Sequence, residues 1–137
     1  MSLVIDSSVA ISWLMPDEEA ASADRAISAA IVGGADVPAL FAFEVANVLL
    51  VNVRRKRLAP GAVADGLADL GVVDIRSEPA PTADVLRAIA MLAAQHGLTV
   101  YDAAYLELAR RLRVPLATLD RPLRSAAAAE NVPLFDP

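Results

Sequence analysis

This chain has no cysteine. Disulfide frameworks, thiolate zinc sites and cysteine nucleophiles are therefore excluded, and a reducing cytoplasm suits it. Its one histidine, His96, leaves no histidine pair for zinc or for acid–base work. His96-Gly97 reads as a helix C-terminus, a structural position. Aromatic residues make up only 4%, so no stacking platform for bases is visible. No uncharged apolar run approaches the roughly 18 residues of a membrane span. Met1 to Asp6 meets an acid with no basic stretch before it, unlike a secretory signal. No glycine-rich phosphate loop follows the first apolar run, which sets aside a nucleotide-binding α/β domain.

What is present is apolar mass and acid. Hydrophobic residues reach 56% and the mean hydropathy is +0.48. At 137 residues the chain reads as a single domain, 1–137, with a real core, and its excess apolar surface must serve partners. The net charge of −5 argues against indiscriminate nucleic-acid binding and is compatible with an acidic pocket that needs cations.

Along the chain, strands alternate with helices. Leu3-Val4-Ile5 is a short buried strand ending at Asp6, and Ser8 to Met15 is a helix closed by Pro16. Asp17 reads as the N-cap of a helix to about Ile31 or Val32, ended by Gly33-Gly34. Asp36-Val37-Pro38 is a weak second strand, followed by a long helix from Leu40 to Arg57. Pro60 opens a helix to Leu70, and Val72 to Ile75 is a third strand. Thr82 caps a helix ending near His96, and Thr99 opens another that ends near Arg113. Pro115 to Leu119 is a fourth strand, Arg121 to Glu130 a helix and Val132 to Phe135 a last strand. This alternation predicts an α/β fold with a parallel sheet and helices on both faces. Sites in such sheets form outside the strand carboxyl ends, at a switch point.

Four acids stand out. Asp6 and Asp120 each follow a strand and precede a helix, so each also reads as an N-cap. Asp102 lies in a first turn opened by Thr99, where it resembles part of a capping box. Its neighbours Tyr101, Tyr105, Leu108 and Leu112 form one apolar stripe, and Glu107 is expected on the solvent side. Glu44 sits in a very apolar helix, where a charge calls for a partner, and Asn47 shares its face as the group that would orient it. Four carboxylates without histidine or cysteine select a hard cation, Mg²⁺ or Mn²⁺. The chemistry implied is metal-assisted hydrolysis of a phosphate ester by water.

Val4-Ile5-Asp6-Ser7-Ser8, Glu44-Val45-Ala46-Asn47, Tyr101 to Leu106, and Ala117-Thr118-Leu119-Asp120 resemble the four acidic motifs of PIN-domain nucleases, in the family order. Length and motif set are similar to the toxin half of bacterial VapBC toxin–antitoxin pairs. The resemblance implies a three-layer fold with sheet order 3-2-1-4-5. It implies Asp6 and Asp102 as direct metal ligands, with Glu44 and Asp120 completing the pocket directly or through water. Ser8, Asn47 and Thr118 would hold carboxylates or waters in place. The implied activity is endoribonucleolytic, leaving 5′-phosphate and 3′-hydroxyl ends, and the implied partners are RNA and a cognate antitoxin. The other reading is a non-catalytic docking module that uses the acids to take a partner's Arg or Lys, without metal turnover.

Basic residues cluster at Arg54-Arg55-Lys56-Arg57, at Arg110, Arg111 and Arg113, and at Arg121 and Arg124. Each cluster suits either phosphate or a solvated helix end. Apolar residues nearly all round the Leu40–Arg57 helix from Val45 to Val53, with Trp13-Leu14-Met15, predict a homodimer and a groove for an antitoxin segment.

Overall fold

Three consecutive apolar side chains with no polar alternation suit a strand covered on both faces. Leu3–Ile5 (β1) is such a strand, wholly buried at the centre of the sheet. The computed structural model describes residues 1–16 and 20–136. After β1 come helices α1 (Ser7–Leu14) and α2 (Ala21–Gly33), strand β2 (Ala35–Val37) and helices α3 (Phe41–Arg54) and α4 (Ala62–Asp69). Then follow β3 (Ile75–Ser77), α5 (Ala83–His96), α6 (Val100–Leu112), β4 (Leu116–Ala117) and α7 (Arg121–Ala129).

The sheet is parallel with order β3-β2-β1-β4. The expected fifth strand shrinks to a single parallel bridge, Leu116 to Leu134. Pro133 has no N–H to extend that ladder, although its carbonyl accepts from Leu116 at 2.9 Å. Neighbours β1 and β4 leave the sheet in different connections, so their carboxyl ends form the switch point.

Helices lie on both faces. α6 crosses β1, β2 and β4 and carries α5 on its outer side, while α2 reaches β1 and α1 joins α2 to α3. Every residue of α6 from Ala103 to Ala109 is buried. That corrects the solvent-side reading of Glu107, which is 5% exposed. Arg111, one turn on, takes its carboxylate in a fork, with Nε at 2.9 Å from one oxygen and Nη2 at 3.1 Å from the other. On the apolar stripe Tyr105 and Leu108 are buried, whereas Tyr101 is 62% exposed at the helix start.

Other differences are local. β3 begins at Ile75, not Val72, because Leu70–Val72 continues α4 as a 3₁₀ turn. Leu70 and Val73 are the buried pair there, at helical spacing, and Asp36 pairs with Arg76 across β2 and β3 to set the strand register. The capping role read for Asp17 lies outside the described residues. α2 ends as expected at Gly34, whose φ of +82° suits glycine. Met15 is buried, and Trp13 and Leu14 are half-buried against the core, so they leave less free apolar surface than the sequence suggests. His96 bonds Glu130 at 3.2 Å, a structural contact as read. No helix among the described residues is long and apolar enough to cross a membrane.

Candidate active site

The chain leaves β1 at Asp6 and enters α1 at once. Asp6 is therefore the N-cap of α1, its Oδ1 accepting from the Val9 N–H at 3.2 Å. Ser8 in the first turn of α1 donates to the same oxygen at 2.6 Å. Beside β1, the chain leaves β4 through Thr118, Leu119 and Asp120. Thr118 donates to Asp6 Oδ2 at 2.5 Å. Each hydroxyl also accepts a backbone N–H from this loop: Leu119 to Ser8 at 3.0 Å, Asp120 to Thr118 at 3.0 Å. Two hydroxyls thus grip one carboxylate from both sides and tie it to the neighbouring strand. Asp120 caps α7 through Leu123 N–H at 3.0 Å, as Asp6 caps α1.

Thr99 caps α6 by accepting the Asp102 N–H at 3.1 Å, which sets Asp102 in the first turn. Burial pushes the Asp6 carboxyl up to about 6, against the pull of Ser8, Thr118 and the Val9 N–H, and the charge of Asp102 adds to the rise. Asp102 is itself raised, first by partial burial and then by the charge of Asp120, while the Thr99 hydroxyl opposes. The three aspartates therefore feel one another.

Glu44 reaches the same region from the first turn of α3. Its Oε1 accepts from Tyr105 Oη at 2.5 Å. Tyr105, one turn after Asp102, is 1% exposed, and burial with the nearby charges of Glu44 and Asp6 keeps its hydroxyl protonated far above its ordinary range. The sequence shows it only as part of the apolar stripe. The available signal was that a buried tyrosine needs a partner for its hydroxyl. Asn47 is exposed on α3, and the bond that orients Glu44 comes from Tyr105.

Among the described residues, no three acidic or histidine side chains converge on one point as a closed metal cage. The acids meet instead as a chain of electrostatic neighbours, Asp120 to Asp102 to Asp6, with Glu44 joined through Tyr105. An apolar cavity of about 370 Å³ lies elsewhere, between the loops after β2 and β3 and helices α5 and α6, and none of the four acids lines it.

The PIN domain family pattern matches residues 3–129. Ribonuclease VapC3 of Pyrobaculum aerophilum is 37% identical over 123 residues, covering 90% of this chain and 92% of that protein. Among solved structures, PAE2754 from Pyrobaculum aerophilum superposes with a TM-score of 0.70 at 23% identity, covering 92% of this chain and 84% of that one. FitAcB from Neisseria gonorrhoeae superposes at 0.65 with 20% identity, covering 99% and 97%. At those identities the two structures speak for the fold alone. The family match over nearly the whole chain and the VapC3 relative together establish that this chain belongs to the PIN-domain family.

Proposed function

We propose that this chain is a Mg²⁺- or Mn²⁺-dependent endoribonuclease, the toxin of a toxin–antitoxin pair. The observation that carries the reading is Asp6, a buried carboxylate gripped by two hydroxyls and held close to Asp102 despite the cost in its ionisation. The name of the VapC3 relative supports RNA as the substrate.

The donor set is oxygen only, which fits a hard divalent cation. Asp6 and Asp102 would hold it, and Glu44 and Asp120 would complete the pocket directly or through water. A bound cation supplies relief of the carboxylate repulsion and Lewis acidity toward the phosphodiester. Ser8 and Thr118 hold Asp6 in one rotamer; both lone pairs of its Oδ1 are engaged and Thr118 takes one of Oδ2, so the remaining lone pair of Oδ2 is the one left for a cation. Tyr105 does the same for Glu44. Asn47, exposed beside Glu44 on α3, is free to hold a water or a sugar hydroxyl. Water attacks phosphorus, the P–O3′ bond breaks, and the products are a 5′-phosphate and a 3′-hydroxyl.

Neutralisation follows from the same charges. An antitoxin Arg or Lys reaching Asp6, Glu44, Asp102 and Asp120 would compete with the cation. Phe43, 79% exposed one residue before Glu44, offers an apolar anchor beside the site for an antitoxin segment or a second copy in a homodimer. The absence of a closed cage of three acids among the described residues favours one other reading, a docking module that takes such a cation without cleaving RNA.

Incubation with RNA and Mg²⁺, followed by mapping of the ends, tests this. Cleavage to 5′-phosphate ends is expected, blocked by EDTA and by Asp102→Asn. Cleavage that persists in EDTA, or 2′,3′-cyclic phosphate ends, would rule out the mechanism. No cleavage under any metal, with an antitoxin bound through the acids, would leave the docking module.

A further inference from the structure

The three basic clusters have different surroundings. Arg110 is tied to Glu130 at 2.8 Å, and Arg111 to Glu107 and Glu78. Arg54, Arg55 and Lys56 are exposed at the far end of α3, about 15 Å from Glu44 by helical rise. The remaining pair stands beside the acids. Arg121 and Arg124 in the first turn of α7, with Arg25 of α2, line a cleft of about 320 Å³ whose other walls are Ser22, Leu119 and Asp136.

Leu119 connects this cleft to the acid pocket. It lies between Thr118 and Asp120, and its N–H is bound to Ser8. Arg124 Nη1 donates to the Thr118 carbonyl at 3.0 Å, which fixes its guanidinium at the shared wall. Neither Arg121 nor Arg124 has a carboxylate partner among the described residues. An oxyanion is already lodged in the cleft: the Asp136 carboxylate accepts from Arg25 Nε at 2.7 Å and also bonds its Nη2. One carboxylate thus shares a cleft with three arginines in a protein of net charge −5.

A polyanion brought to four carboxylates is repelled unless a cationic surface next to them offsets the charge. Guanidinium forks match phosphate oxygens as they match carboxylate oxygens. We propose that this cleft binds a backbone phosphate of the RNA strand beside the one cleaved. Arg25 and Arg121 are its contacts, and Asp136 occupies the cleft until RNA displaces it. The proposal rests on the nuclease reading above and adds the path of the strand, from the acids across Leu119 toward α2.

The test uses full-length Asp102→Asn protein, a fluorescent 12-nucleotide RNA and anisotropy across a salt series. Arg25→Gln and Arg121→Gln are each expected to weaken binding about three- to tenfold and to flatten the log–log salt slope by about 0.7. Asp136→Asn is expected to tighten binding about threefold, a change that misfolding cannot produce. Unchanged affinity and slope in both arginine variants overturns the proposal. Binding of inorganic phosphate in the cleft with no effect on RNA also overturns it, because the anion is then a free one. If the unsubstituted chain cleaves RNA while the arginine variants bind like their parent, only the cleft assignment falls. If no form binds RNA, the nuclease reading falls with it.

Discussion

Removing the charge from Asp6 should make the metal-free protein more stable, although it removes a group central to the site. The carboxyl titrates at about 6 in the folded chain, against 3.8 when free of the fold. The folded state therefore binds the proton more tightly than the unfolded state does. Stability is greatest below the unfolded value, declines as pH rises, and has lost the whole contribution above about 6. Two pKa units correspond to about 3 kcal/mol at neutral pH. Asparagine has the same shape, and its oxygen can still accept from Ser8 and the Val9 N–H. Its amide must donate toward Thr118 where the carboxylate accepted, and two charge-assisted bonds become neutral ones, a loss of about 1 kcal/mol. The net expectation for Asp6→Asn in EDTA at pH 7.5 is a gain of about 1–2 kcal/mol, or about 3–8 °C in Tm. At pH 4.5 the ionisation penalty has shrunk to about 1 kcal/mol, so the two proteins should unfold together. Urea unfolding at the two pH values measures both points. A loss of stability at pH 7.5, or a difference that ignores pH, would refute the account of Asp6 as a strained anion. Added Mn²⁺ should raise the midpoint of the unsubstituted protein and narrow the gap.

Two further substitutions probe the supports around the site. Tyr105→Phe frees Glu44 from its one strong donor; the Mn²⁺ concentration for half-maximal RNA cleavage should rise about tenfold, with unfolding free energy within about 1 kcal/mol of the parent. An unchanged metal dependence would show that Tyr105 does not position Glu44. Glu107→Ala removes the buried partner of the Arg111 fork and leaves that arginine exposed beside Glu78, so it should cost only about 1 kcal/mol in urea unfolding, leaving metal affinity intact. A cost above about 3 kcal/mol would mean that solvent and Glu78 do not serve Arg111 once Glu107 is gone.

Much of the candidate site was legible because each acid coincides with a boundary. A buried run followed by an acid and then a helix pattern marks both Asp6 and Asp120, and parallel connection forces such boundaries to one end of the sheet. Glu107 was not legible in the same way. The apolar stripe on α6 identifies one buried face, but this helix is covered on its other side by α5, so a charged residue there is inside. A stripe sets a minimum on burial; it gives no upper limit when a second layer of helix arrives from a remote segment. β3 was misplaced for a related reason. Val72 and Val73 read as strand by side-chain type, yet burial of Leu70 and Val73 continues the helical spacing for one more turn. Tyr105 failed by chemistry and not by position: its ring belongs to the core as expected, and its hydroxyl belongs to the site.

Capping and site-building are not alternatives for these residues. Asp6 caps α1 and Asp120 caps α7, while Thr99 fixes the turn that carries Asp102. Each cap satisfies N–H groups that a helix start leaves open and contributes about 1 kcal/mol, which offsets part of the repulsion among the acids. The cap also uses one carboxylate oxygen and so fixes where the other points. At Asp6 the second oxygen is steadied by Thr118. At Asp120 the cap engages Oδ2, leaving Oδ1 without a hydrogen-bond partner among the described residues. A helix start after a parallel strand therefore does two things at once. It places the acid at the carboxyl edge of the sheet, and it fixes one carboxylate oxygen, so that at Asp6 only the second oxygen is left for Thr118 to hold.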